Sequence, residues 1–310
     1  MGDQHLGLVA AIDCGTNSTR LLVVDAAGDT LTRLMRVTRL GQGVDANRKL
    51  EVDAVDRTLS VLREFRRDMD RLGVRQVRMV ATSAVRDAVN GQEFLDAASE
   101  VVGAGAELLS GGEEGRLAFA GATGDLESTA AGLVVVDIGG GSTELITEDG
   151  GLVDVVSLDL GCVRLTERFL HHDPPEPVEL AAAVLAIGRE LDRALTEVPG
   201  LGDSPNRRLI GLAGTVSTLA ALELGVAAYD RDRLHHTVLQ LSAVRRWCTT
   251  LAAEPSAVRA RRVGMVPGRE DVIVGGVLVL QEVMDRLGVS ECLVSESDIL
   301  DGLAGSLLDG

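Results

Sequence analysis

Apolar and polar positions alternate along this chain in two periods, and the order in which those periods occur already outlines an architecture. Residues 7–12, 20–25 and 30–39 read as three strands, separated by a turn at Gly15 and by Ala-Ala-Gly-Asp at 26–29. From Val52 to Leu72 the apolar positions Val52, Val55, Leu59, Leu62, Phe65, Met69 and Leu72 recur at helical spacing, and Gly73 ends the run. Strands at 74–81 and 106–109 flank a helix near 92–102, which is the alternation of an α/β domain.

The small, polar stretch GATGDLESTAAG at 121–132 reads as a crossing, and beyond it the opening pattern restarts. Strands are predicted at 133–137, 143–148 and 151–158, with a glycine turn between the first two. Helices follow at about 161–170, 176–197, 215–224, 242–253 and 270–287, with strands at 208–213 and 290–294 and a proline-rich loop, DPPEP, at 173–177. Placing Asp13 on Asp137 aligns Gly15 with Gly139, Ser18 with Ser142, Thr19 with Thr143 and Leu21 with Leu145. The chain therefore reads as a duplicated module on the scale of a domain. The expected division is 1–125 and 126–310, with a last helix at about 297–308 packing back on the first domain.

Composition narrows the functions open to such a chain. At 310 residues and 45% apolar content it can build two cores, and with only 2% aromatics those cores must be made of Val, Leu, Ile and Ala. Few aromatics and a net charge of -17 argue against a nucleic-acid binder. The four cysteines, Cys14, Cys162, Cys248 and Cys292, show no Cys-x-x-Cys spacing, so neither a zinc site nor a disulfide framework is expected. The start, MGDQHLGLVAAID, lacks the basic region of a leader, and no apolar run is long enough to span a bilayer. A cytoplasmic location is the expectation, without membrane partners.

The repeated phrase carries the chemistry. Each copy sets an acid at the end of an apolar strand, then a tight turn of Gly, Ser, Thr or Asn, then a second strand. Glycine lets backbone amides converge and hydroxyls add donors, so such a turn can cradle phosphate, while the strand-end acid can serve a phosphate-bound Mg²⁺. A single copy is as readily an ordinary hairpin; two in register favour phosphate. A nucleotide-binding P-loop needs a lysine after its glycines, and Lys49 is the only lysine in the chain. SGGEEGRL at 110–117 has the composition of a helix start, acids in the first turn included. Arg33, Arg36 and Arg39 offer either a basic track or an ordinary exposed edge, and the pairs His171–His172 and His235–His236 lack metal-ligand spacing.

Eight segments in order, AIDCGTNSTRLLV, ATSAVRDAVNG, LLSGGEEGRLAFAGA, VVDIGGGSTEL, LGCVRLTERF, GLAGTVSTLAAL, PGREDVIVGG and VSESDILDG, resemble the exopolyphosphatase and guanosine pentaphosphate phosphohydrolase family over nearly the full length. The resemblance implies an α/β fold of two duplicated ribonuclease-H-like domains around an interdomain cleft, as in the actin-like ATPase and sugar kinase superfamily. It implies a Mg²⁺- or Mn²⁺-dependent phosphoanhydride hydrolase that releases terminal orthophosphate from inorganic polyphosphate, with guanosine pentaphosphate, a stringent-response nucleotide, as the alternative substrate. A metabolite kinase of the same superfamily is the competing class. The long members' extra carboxy-terminal helical module is lacking, so the short form and short polyphosphate chains are expected, as is a homodimer. By the same resemblance Glu114 matches the catalytic base, Asp13, Asp137 and Glu144 the acids near the metal, and Arg86 an arginine that reaches substrate. Thr16, Asn17, Ser18 and Arg20 would line substrate from the first turn, and Gly139, Gly140, Gly141, Ser142 and Thr143 from the second. Gly214 and Thr215 resemble a further phosphate or nucleoside loop, and Arg269 of PGRED is a further candidate for binding substrate; Glu113 is expected to be structural.

Overall fold

In the computed structural model, which describes residues 7–126, 132–149, 151–202 and 207–309, the apolar blocks form two β-sheets. Part of the predicted crossing (127–131), the first six residues and Gly150 lie outside the described residues.

The first sheet begins with β1 (Val9–Cys14), β2 (Ser18–Val24) and β3 (Thr30–Val37), an antiparallel meander. The chain continues through α1 (Val44–Asn47), α2 (Val52–Leu72), β4 (Gln76–Ala81), α3 (Ser83–Asp87), α4 (Gly91–Val102), β5 (Ala106–Leu108) and α5 (Gly111–Thr123). The sheet order is β3-β2-β1-β4-β5, with β1 parallel to β4 and β4 parallel to β5. Every residue of β1 is buried, which is why VAAIDC reads as a continuous apolar run rather than an alternating one: the strand is covered on both faces. Helix α2 buries Ala54, Thr58, Leu59, Leu62, Phe65 and Met69 and stops where Gly73 takes φ 78°.

The second sheet repeats the meander with β6 (Leu133–Ile138), β7 (Thr143–Asp149) and β8 (Leu152–Leu158). It is followed by α6 (Cys162–Phe169), α7 (Pro177–Glu197), β9 (Arg208–Leu212), α8 (Ala213–Leu224), α9 (Arg231–Leu234), β10 (Val238–Gln240), α10 (Leu241–Ala252), α11 (Ser256–Arg259), α12 (Ile273–Leu287), β11 (Glu291–Val294) and α13 (Ile299–Leu308). Its order is β8-β7-β6-β9-β11-β10. Apart from the antiparallel edge strand β10, this is the order of the first sheet, so the protein is α/β and built from two ribonuclease-H-like modules. The duplication extends to register: Asp13 pairs with Arg20 across β1 and β2, and Asp137 pairs with Glu144 across β6 and β7.

Two compact units result, one formed by the described residues up to Gly121 together with those from Asp298 on, the other by Ala122–Ser297. The first has its core in Ile12, Leu21, Leu62, Phe65, Met79 and Phe94. That of the second includes Val136, Leu145, Ile187, Leu219, Val277 and Met284. Helix α13 packs on β1, β2 and β4, and its approach to α5 is backbone to backbone. A Cβ on Gly121 would lie 1.9 Å from the Asp298 carbonyl oxygen, and one on Gly302 2.1 Å from that of Leu117, so both positions require glycine.

Candidate functional site

The two turns share one hydrogen-bond plan. Gly15 N–H donates to the Ser18 carbonyl at 3.0 Å, and Gly139 N–H donates to the Ser142 carbonyl at 3.0 Å. In both, the segment after the third strand of the meander ties back the turn's carbonyls. In the first unit Gly41 N–H donates to Thr16 O (2.8 Å), while Thr38 and Arg39 N–H donate to Asn17 O (3.0 and 2.9 Å). In the second, Cys162 N–H donates to Gly139 O (3.0 Å), and Val163 and Arg164 N–H donate to Gly140 O (2.9 and 3.1 Å). The buried Arg164 adds its Nε to Gly141 O at 2.6 Å. With the carbonyls held on one side, the amides of Thr16 and Asn17, and of Gly140 and Gly141, are taken by no backbone carbonyl among the described residues. Such a row of unspent N–H groups has the donors an anion requires.

The side chains of both turns are largely enclosed. Thr16, Asn17 and Ser18 are buried, Thr16 Oγ1 lies 2.9 Å from Ser83 Oγ at the start of α3, and Asn17 Nδ2 is a buried donor with no partner among the described residues. Ser142 and Thr143 are buried likewise, and Thr143 Oγ1 donates to Leu160 O. Glu144, buried, accepts from Ser157 Oγ at 2.7 Å.

Glu114 stands in the first turn of α5, its side chain 13% exposed, with Oε2 3.5 Å from Arg86 Nη1. Arg86, in the short helix α3, is anchored by donating to Leu109 O at 2.7 Å. Glu113 is engaged differently. Its carboxylate accepts from Ser110 N–H (2.9 Å) and Ser110 Oγ (2.7 Å), which closes the helix start as a capping box and holds the Glu113 carboxyl below its usual range. Two adjacent glutamates are thus separated, one spent on the helix and one standing at its tip beside Arg86.

The turn between β9 and α8 is strained. Ala213 takes φ 65°, a left-handed conformation that a Cβ disfavours. Next to it the buried Arg269 guanidinium lies against Gly214, where a Cβ would sit 1.8 Å from Cζ. Thr215 Oγ1 is buried without a partner among the described residues.

Arg20 is paired with two acids. Its Nε and Nη2 donate to Asp13 Oδ2 at 3.0 and 2.6 Å, and its Nη1 to Asp298 Oδ2. The physical reason is burial. Both acids are almost wholly enclosed and need a countercharge. Burial pushes the Asp13 carboxyl up and Arg20 only partly offsets it, whereas for Asp298 the guanidiniums of Arg20 and Arg33 outweigh burial and hold it low. Asp13 Oδ1 has no hydrogen-bond partner among the described residues. A buried carboxylate oxygen left without a donor is one that a hard divalent cation can take, so Asp13 fits Mg²⁺ or Mn²⁺.

Other groups resolve into structure. Arg33 pairs with Asp298 and Asp301, and Arg36 with Glu64 at 2.5 Å, so the basic track loses two of its three members to acids. His235 Nδ1 accepts from Glu296 N–H at 3.0 Å, leaving its proton on Nε2, which lies 2.6 Å from Asp125 Oδ2. His236 stacks on it with centroids 3.8 Å apart and planes 26° from parallel. Asp125, His235 and His236 bring ligand atoms within 4.8 Å of one another, but with its Nδ1 accepting from Glu296 the His235 Nε2 carries a proton toward Asp125 and offers no lone pair there. All four cysteines are buried and free.

Sequence reasoning missed the residues that shape the turns from outside: Gly41, Ser83, Gly161, Arg164, Ala213 and Asp298. Gly41 and Gly161 had a signal, an isolated glycine just after the third strand of each meander. Arg164 and Asp298 had none, since each acts through a contact distant in sequence.

Known proteins resemble the chain over nearly its whole length. The sequence profile of the Ppx/GppA phosphatase family matches residues 18–309. Exopolyphosphatase 2 of Mycobacterium tuberculosis is 42% identical, the alignment covering 96% of this chain and 98% of that protein. Among solved structures, an exopolyphosphatase from Cytophaga hutchinsonii superposes with a TM-score of 0.88 at 27% identity, covering 98% of both chains. A Ppx/GppA family member from Aquifex aeolicus superposes with 0.80 at 32% identity, also covering 98% of both.

Proposed function

Because the chain belongs to the Ppx/GppA phosphatase family, we propose that it is an exopolyphosphatase, hydrolysing the terminal phosphoanhydride of inorganic polyphosphate to release orthophosphate. The observation that carries this reading is the pair of turns whose carbonyls are tied back and whose amides are unspent, one in each unit. A phosphoanhydride is rich in the matching acceptors, non-bridging oxygens that take N–H donors.

In this reading Glu114 orients and deprotonates the attacking water, a role for which a carboxylate at a helix tip, with Arg86 beside it, is well placed. The amides of the two turns, with Thr16, Asn17, Ser18, Ser142 and Thr143, hold non-bridging oxygens. Arg86 and Arg269 supply guanidinium donors, and Gly214 and Thr215 extend the row. Asp13, Asp137 and Glu144 would hold Mg²⁺ or Mn²⁺, which when bound neutralises phosphate charge and polarises the phosphorus. The protein's overall acidity is no obstacle, since at physiological salt charges are screened beyond about 8 Å. The reading includes a cytoplasmic location, a homodimer and preference for short chains, all carried by the family resemblance; among the described residues no helix is long and apolar enough to cross a membrane.

The test is orthophosphate release measured in parallel from short polyphosphate, long polyphosphate and guanosine pentaphosphate, with Mg²⁺ and with chelator. Release from short polyphosphate that stops with chelator is the expected result. Faster release from guanosine pentaphosphate would make the nucleotide the substrate, and ATP-dependent phosphorylation of a sugar without polyphosphate hydrolysis would make the protein a kinase. Undiminished release in chelator would remove the metal from the reading.

A further inference from the structure

The two copies of the turn differ at one position with consequences beyond it. The cross-strand partner of the acid is Glu144 in the second copy and Arg20 in the first. Arg20 does not end the chain of contacts. Its Nη1 reaches Asp298 Oδ2, while Asp298 Oδ1 accepts from Leu300 N–H (3.0 Å) and from Arg33 Nη2 (3.0 Å). Asp301 in turn accepts from Arg33 Nη1 (3.0 Å) and from the Asp298 N–H (2.7 Å). Asp13, Arg20, Asp298, Arg33 and Asp301 thus alternate in sign from the end of β1 to the first turn of α13, and Asp298 and Asp301 are also the capping box of that helix.

We propose that Asp298 is a positioning residue for Asp13, acting through Arg20, which serves as the bracket for this carboxylate. Arg20 grips a single oxygen of Asp13 with two donors, which fixes the rotation of the carboxylate and leaves Oδ1 turned away from the guanidinium. An arginine side chain is long and loses much rotamer freedom when held. Asp298 supplies that restraint in advance, because it is itself fixed from two further directions, by a helix amide and by Arg33. Both Asp298 oxygens are acceptors at once, Oδ2 for Arg20 and Oδ1 for Arg33 and Leu300, so an amide cannot replace it: an Asn would offer N–H to one of these donors. The inference rests on the proposed function in one respect, the assignment of Asp13 to a divalent cation.

The experiment measures Mn²⁺ binding to the full-length protein without substrate, by calorimetry or by water-proton relaxation, for the wild type, Asp298→Asn and Arg20→Lys. Residues behind a metal ligand typically carry about 10–100-fold of metal affinity, and both variants are expected to weaken Mn²⁺ binding by roughly tenfold or more. At saturating Mn²⁺ the KM for polyphosphate is expected to stay within a few-fold of wild type. Arg20→Lys leaves the α13 capping box intact, so it decides the question should Asp298→Asn fail to fold. Unchanged Mn²⁺ affinity with a raised KM would overturn the proposal, making Arg20 a phosphate ligand and Asp298 a helix cap. A wild type that binds no Mn²⁺ would instead overturn the metal assignment on which the proposal stands.

Discussion

Glu114→Gln is expected to cut orthophosphate release from polyphosphate by roughly 10²–10⁴-fold, the usual contribution of a general base, while polyphosphate still binds. Glutamine keeps the shape and the polar contact with Arg86 but cannot accept the water's proton. The position is well held for this chemistry. The helix start is closed by Ser110 and Glu113, and the other end of α5 is pressed against α13 through Gly121 and Gly302. Glu113→Gln is the matching control: its amide oxygen can still accept from Ser110, so it loses a charge at the helix start without losing the base. Single-turnover release and an equilibrium binding measurement on both variants separate chemistry from binding. Wild-type turnover in Glu114→Gln would remove it from the mechanism.

Gly161→Ala should damage the second turn without touching any group that meets substrate. An added Cβ would lie 2.3 Å from Gly140 O, 2.4 Å from Gly140 C and 2.6 Å from Gly141 N. These are backbone atoms and cannot rotate away, so either the turn or the start of α6 must shift, at a cost of about 1–3 kcal/mol in stability. A shift of the turn redirects the amides of Gly140 and Gly141, since the neighbouring carbonyls are tied to Cys162, Val163 and Arg164. The expected result is a lowered melting temperature together with a rise in KM of roughly tenfold or more, the loss of one to two charge-assisted hydrogen bonds. Gly305→Ala, in α13 with nothing within 4 Å of the new methyl, should leave both unchanged. A Gly161→Ala protein that melts lower but keeps its KM would show that the turn's amides do not bind substrate.

Much of this architecture was legible because the sequence states it twice. The strand-turn-strand phrase is carried by continuous apolar runs whose burial on both faces leaves no ambiguity of register, and the observed β1, β2, β6 and β7 lie within two residues of the reading. Helix α2 was readable because its stripe is long and Gly73 ends it. The short elements α1, α3, α9, α11 and β10 were not, since three to five residues show no period. The same limit hid half of each turn's construction. Asn17 and Gly140 could be picked out as turn residues, but the N–H groups that hold their carbonyls come from Thr38, Arg39, Val163 and Arg164, beyond an intervening strand. The pairing of Arg20 with Asp298, 278 residues away, was equally beyond the reach of sequence pattern.

If one hydrolytic reaction uses the acid of both copies, the most direct measurement is orthophosphate release from a single polyphosphate preparation by Asp13→Asn, Asp137→Asn and the double variant, each confirmed folded by its thermal melt. With both acids serving the same chemical step, each single change lowers release by at least about a hundredfold and the double falls little further than the worse single. Wild-type release by either single variant would contradict the account, because one copy of the phrase would then be a hairpin and nothing more.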